Sequence, residues 1–252
     1  VVVSLILLAI LASILFGPSF IISNITGVYN TLIKPATSRL IQTVAENRQP
    51  YFVEWVRSFG PHFRGIPITF WLFLIGSVYM FSKMIGALKK TDRFILTSSY
   101  LIFLFFMIFS RYSSGSVLNG ENFISKTIYG VGFLIFVLVF GFYYYKYHKR
   151  DEEEILKKID FGFLLLFTLF FLNIVAARAS VRTIMMLVPS ASILVGYFLV
   201  ALYEDTKKMK NGTMKMIAWG IVALVIVSTL FAGYGFYTGI KAQASGYVPS
   251  IY

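Results

Sequence analysis

Charged positions in this chain fall in clusters, and long apolar stretches separate them. A stretch of about 18 residues or more suits a bilayer, because ~20 helical residues at ~1.5 Å rise cover its ~30 Å hydrocarbon core. Seven runs approach that length: residues 1–16, 66–85, 94–110, 127–145, 161–177, 183–203 and 216–237. They predict an all-α membrane protein, a polytopic bundle of about seven transmembrane helices forming one domain over residues 1–252. The first run has the apolarity of a signal-peptide core, but it lacks a positive start. Phe16-Gly17-Pro18 is also a poor small-residue cleavage site. The expectation is a segment of a longer protein.

Composition sharpens this picture. The chain is 58% hydrophobic and only 13% charged, where a soluble domain carries roughly 25% charge. Its 26 Phe and 16 Tyr suit lipid-facing bodies and interfacial rings. Cysteine is absent, so disulfides and thiolate metal sites are excluded.

The basic residues predict an orientation, because short positive loops stay on the cytoplasmic side. Lys83, Lys89, Lys90 and Arg93 lie in one short connection. Lys146, Lys149, Arg150, Lys157 and Lys158 lie in a second, and Lys207, Lys208, Lys210 and Lys215 in a third; together they are 13 of the 23 basic residues. This predicts an N-in, C-out arrangement, with residues 17–65 as a large external loop. The net charge of +12 needs no nucleic acid, since anionic headgroups at the inner face suffice as partners. Of the 11 acidic residues, only Glu46, Glu54 and Glu121 fall outside.

A loop of roughly 50 residues is unusual, because structureless connections beyond ~12–15 residues are uncommon unless functional or disordered. This one carries Tyr29, Leu40, Tyr51, Phe52, Trp55 and Phe59, more apolar surface than a solvated coil keeps. It reads as packed on the membrane surface, with a short helix expected at residues 35–45 and breaks at Gln49-Pro50 and Gly60-Pro61.

Within it, Thr43-Val44-Ala45-Glu46, then Asn47-Arg48-Gln49-Pro50 and Trp55, resembles the large external loop of the oligosaccharyltransferase catalytic subunit. That family carries a Ser/Thr–Val/Ile–X–Glu motif there, often followed by Gln-Pro and an aromatic residue. A second match lies at Val181-Arg182-Thr183-Ile184-Met185-Met186-Leu187-Val188-Pro189, which resembles the family's helix with an arginine at its outer end and a proline seven residues on. The resemblance is to the archaeal type, a dolichyl-phosphooligosaccharide–protein glycotransferase, and covers the C-terminal part of its GT-C-type membrane domain.

The resemblance implies en bloc transfer of a glycan from a polyprenyl phosphate or pyrophosphate to Asn in Asn-X-Ser/Thr. The partners are a lipid-linked oligosaccharide donor and an acceptor protein, and the active face of this multi-pass cell-membrane enzyme is extracytoplasmic. Glu46 would serve a Mg²⁺ or Mn²⁺ ion near the acceptor amide, whose nitrogen is otherwise a poor nucleophile. Thr43 would bind substrate with it, and Arg182 would offer its fork of donors to the donor phosphate. Arg178 would either share the phosphate or face headgroups, the second being preferred, and Trp55 would either line the acceptor groove or, as preferred, anchor the loop. The family's other metal carboxylates belong to residues outside this chain. Its Trp-Trp-Asp motif belongs to a soluble domain expected after residue 252, so the segment alone is expected to be inactive. Four spans separate Glu46 from the Arg182 helix, more than in the family, and an inserted pair around residues 94–145 would keep the topology. Two other classes stand beside this reading. One is another polyprenyl-phosphate-dependent glycosyltransferase; the other is a transporter or flippase, which the scarcity of ionisable groups within the spans disfavours.

Overall fold

The computed structural model of the chain describes residues 10–11, 13–14, 16–33, 48–60, 62, 66–149, 154–155 and 158–246. Among these, every named element is a helix: α1 (Pro18–Ile33), α2 (Phe52–Ser58), α3 (Ile68–Met84), α4 (Lys90–Phe109), α5 (Phe123–Lys149), α6 (Phe161–Ala177), α7 (Ile184–Lys208) and α8 (Gly212–Gly246). A 3-10 turn at Val181–Thr183 leads into α7.

Among the described residues, four helices are long and apolar enough to cross a bilayer: Lys90–Phe109, Phe123–Lys149, Val181–Lys208 and Gly212–Ala242. They mark a membrane protein. The runs at 66–85 and 161–177 form the apolar helices α3 and α6, each of 17 residues. That is the lower limit for a span. The run at 1–16 lies mostly outside the described residues. Side chains such as Phe94, Phe142, Phe161 and Leu172 point outward and are well over half exposed, which suits hydrocarbon and not water.

Polar side chains mark the helix starts, where the first N–H groups have no partner in their own helix. The Asp160 carboxylate accepts from the N–H groups of Gly162 and Phe163 at 2.7 and 3.3 Å at the start of α6. Asn122 accepts from Ser125 N–H at 2.8 Å for α5, and Asn211 from Thr213 N–H at 3.1 Å for α8.

α4 and α5 form an antiparallel hairpin. One end is pinned by Lys146 Nζ on Asp92 at 2.9 Å, with the Tyr147 hydroxyl donating to the same carboxylate at 2.8 Å. The other end closes through a backbone bridge between Arg111 and Asn119. α3 packs between α4, α6 and α7. Aromatic rings from four helices fill the junction: Phe81 stacks on Tyr100 at 4.6 Å, Tyr100 meets Phe167 at 5.6 Å, and Phe103 stacks on Phe136 at 5.3 Å. α3 and α7 approach closely at Gly76, where a Cβ would sit 2.9 Å from the Leu194 carbonyl oxygen. Only glycine allows two backbones so near. α8 lies against α7 and is largely exposed.

All three basic connections therefore gather at one end of the bundle, where Lys83 pairs with Asp205 at 2.8 Å. Glu54, Glu121, Arg178 and Arg182 gather at the opposite end.

Candidate functional site

The end of the bundle opposite the basic connections is built from three segments: residues 48–60, the α4–α5 connection, and the turn between α6 and α7. Backbone hydrogen bonds fasten them. Phe52 N–H donates to the Arg111 carbonyl at 3.0 Å, and Val181 N–H donates to the Arg48 carbonyl at 2.9 Å. The turn before α7 is tight because the Thr183 hydroxyl donates to the Ala176 and Ser180 carbonyls at 2.8 and 2.7 Å. Ser180 Oγ accepts from Arg182 N–H at 3.2 Å.

Residues 48–60 are held by side chains as well. Glu54 takes Arg48 on one carboxylate oxygen at 2.5 Å and the Tyr51 N–H on the other at 2.6 Å. That second bond also closes the first turn of α2. Trp55 is completely buried, which fits an anchor for this segment. Phe52 stacks between Phe109 at 4.8 Å and Tyr112 at 5.4 Å.

Two arginines are buried beneath this cover. Arg178 is only 3% exposed and Arg111 only 4%. Arg178 therefore does not face headgroups, as the sequence suggested; it points into the protein because Gln49 and Tyr129 receive it there. Its Nη1 donates to Gln49 Oε1 at 3.2 Å, and its guanidinium lies 5.2 Å from the centre of the Tyr129 ring. The Arg111 guanidinium lies 4.3 Å from the centre of the Tyr51 ring, and its Nη2 is 3.6 Å from Glu121. Arg111 Nε and Nη1 and Arg178 Nε are buried without a hydrogen-bond partner. Each such buried donor costs about 1–3 kcal/mol. Burial holds the Arg178 guanidinium down at about 10, with Arg111 lowering it further against the opposing Tyr129. It stays charged at neutral pH.

Of the residues singled out in the sequence, Thr43 and Glu46 lie outside the described residues, as does the helix expected at 35–45. Arg182 is exposed on the 3-10 turn, and among the described residues its guanidinium has no hydrogen-bond or ion-pair partner. Arg111 was not picked out. The one signal for it was its place on the side of the chain poor in basic residues. An apolar groove of about 480 Å³ runs between α3 and α4, lined by Trp71, Ile75, Val78, Leu101, Phe105 and Phe109. It ends two residues before Arg111.

No protein-family model matches the chain, and no curated protein or solved structure matches it. The family resemblance therefore rests on the two motifs.

For the divalent metal that the resemblance implies, the described residues do not supply a ligand set. No group of three metal-ligating side chains occurs among them. The two described acids at this end are engaged by arginine: Glu54 by Arg48 and Glu121 by Arg111.

Proposed function

We propose that the chain is the C-terminal part of the membrane domain of an oligosaccharyltransferase catalytic subunit, a bundle of about seven spans arranged N-in and C-out. It takes part in moving a glycan en bloc from a polyprenyl (pyro)phosphate to the amide nitrogen of Asn in Asn-X-Ser/Thr. As the new C–N bond forms, the sugar–phosphate C–O bond breaks, the lipid phosphate leaves with the bonding electron pair, and the amide nitrogen releases one proton to solvent.

The single observation that carries this reading is the 2.9 Å hydrogen bond from Val181 N–H to the Arg48 carbonyl. Arg48 lies two residues after Glu46, and Val181 immediately precedes Arg182. The two motifs stand more than a hundred residues apart, yet their neighbouring residues are hydrogen-bonded. A transferase that activates the acceptor through one motif and holds the donor through the other needs that adjacency, because reacting groups must be held within bonding reach. Two further features support the reading. The exposed Arg182 fork has its donors available for phosphate oxygens, and the groove between α3 and α4 has the apolar lining an isoprenoid chain requires. On the resemblance, Glu46 would join carboxylates from outside this chain in holding Mg²⁺ or Mn²⁺, which polarises the acceptor amide.

The test is Glu46→Gln in membranes containing the protein with the family's remaining domains, supplied with lipid-linked glycan and a fluorescent Asn-X-Thr peptide. Glycopeptide formation is expected to fall at least ten- to a hundredfold, the scale on which a placed catalytic or metal-supporting group acts. Raised Mn²⁺ recovers part of the loss. Normal rates with unchanged metal dependence would overturn the reading. Arg182→Lys keeps the charge but removes the fork, so it is expected to weaken donor use more than acceptor use.

A further inference from the structure

We propose that Arg111 and Arg178 form an anion subsite, separate from Arg182, that takes the phosphate group of a ligand. The inference stands on the side chains themselves and not on the transferase reading.

The two guanidinium groups come from different parts of the chain, one from the α4–α5 connection and one from the end of α6. Both are more than nine-tenths buried, and one short segment joins them: Gln49 accepts from Arg178 at 3.2 Å, and two residues on the Tyr51 ring lies 4.3 Å from the Arg111 guanidinium. Among the described residues, the carboxylate facing them is Glu121, 3.6 Å from Arg111 and itself 55% exposed. Gln49, on Arg178, is neutral. The C-terminal ends of α4 and α6 offset part of the positive charge, because the last carbonyls of a helix carry a partial negative charge. They leave the three buried N–H groups without an acceptor. Two buried like charges with idle donors are unfavourable unless an anion completes them.

The donor chemistry favours phosphate. A guanidinium is a planar, rigid fork that matches phosphate oxygens. A single phosphate group offers three terminal oxygens and a charge of about −1.5 to −2 near neutral pH. That suits two forks better than one carboxylate does. The Tyr51 and Tyr129 ring faces hold the two guanidinium planes in place. Gly120 leaves the room in which the Arg111 side chain lies. The rim is accessible, since Arg48, Tyr112 and Glu121 around it are exposed.

The experiment follows thermal unfolding of the purified chain in detergent, with each ligand titrated. The probes are sodium pyrophosphate, sodium phosphate, sodium chloride at matched ionic strength, farnesyl phosphate and farnesol. A ligand that binds the folded chain raises its midpoint in proportion to occupancy. A rise with the inorganic phosphates supports the subsite and makes a free phosphate sufficient. A rise with farnesyl phosphate alone, and not with farnesol, supports it and makes the ligand a lipid phosphate. In either case Arg111→Gln and Arg178→Gln are expected to weaken binding at least about tenfold, as loss of a charge-assisted fork does. Arg57→Gln, which removes an exposed charge on α2, leaves binding unchanged. Where a Gln variant does not fold, Arg111→Lys and Arg178→Lys, which keep the charge, are expected to show the same weakening. The proposal is overturned if no phosphate-bearing probe raises the wild-type midpoint. It is overturned equally if binding persists at wild-type strength in the folded arginine variants.

Discussion

Gly120 offers a quantitative test of how tightly Arg111 is held. Its φ of +81° lies in the left-handed region, and a Cβ built there would stand 2.7 Å from Arg111 Cγ and 2.8 Å from Cδ and Nη1. Gly60 has nearly the same φ, +79°, but a Cβ there would meet nothing within 4 Å. Alanine at either position incurs left-handed strain of about 1–2 kcal/mol. It recovers about 0.4–1 kcal/mol from the stiffer unfolded chain. Those contributions are common to both sites. Gly120→Ala alone must also push aside a buried arginine side chain, at the ~1–3 kcal/mol typical of overpacking. Gly60→Ala is therefore expected to destabilise by about 1 kcal/mol and Gly120→Ala by about 2–4 kcal/mol. Reversible unfolding of the two purified variants in mixed detergent, followed by far-ultraviolet circular dichroism, measures the difference. Equal destabilisation would refute the reasoning, because it would mean that Arg111 swings away freely and is not wedged between Gly120 and Tyr51.

Three further outcomes follow from the same geometry. Asp92→Asn breaks a buried group that holds both Lys146 and Tyr147, and should cost about 2–4 kcal/mol in the same unfolding assay. Asp205→Asn, whose carboxylate is 38% exposed where it meets Lys83, should cost at most about 1 kcal/mol. Glu54→Gln loses the Arg48 ion pair and weakens the acceptor for Tyr51 N–H, an expected loss of about 1–2 kcal/mol, with faster proteolysis across residues 48–58 as the direct readout. The chain has no cysteine, so single cysteines report sidedness cleanly. An impermeant thiol reagent should label Ser114→Cys on intact cells and Lys208→Cys only after permeabilisation, and the reverse result would reject the N-in arrangement.

How legible each part was in the sequence depended on whether its cause was local. The runs at 127–145 and 216–237 became α5 and α8, because burial in lipid follows from the composition of one continuous segment. Their helices extend well beyond the apolar runs, to Phe123–Lys149 and Gly212–Gly246, since a helix continues where caps and the interface satisfy it. α1 falls within residues 17–65, expected as external loop, where Ser23, Asn24 and Thr26 interrupt the apolar pattern. In the helix these side chains bond back to the Phe20 and Ile22 carbonyls at 2.7–2.9 Å, a local satisfaction that a polarity pattern does not reveal. Arg178 was misjudged for the opposite reason. An arginine at a helix end normally reaches for the interface, and what turns it inward is Gln49, which stands far away in sequence. Arg111 was missed on the same ground, because its burial depends on residues 49–52 folding over it. Glu54 stands outside both motifs, yet it holds Arg48 and Tyr51, a role set by the turn of α2.

The α4–α5 hairpin leaves and rejoins the bundle at the same end, and α3 and α6 on either side of it already touch through Phe73 and Phe170 at 6.1 Å. Excising it would be silent for topology. Electrically it would not be silent, because Arg111 would leave with it, together with the exposed Glu121, and the buried charge at the far end would fall from two guanidinium groups to one. The hairpin is therefore a detachable charge carrier: a change confined to one insert would retune the potential of a distant surface without moving any neighbouring helix across the membrane.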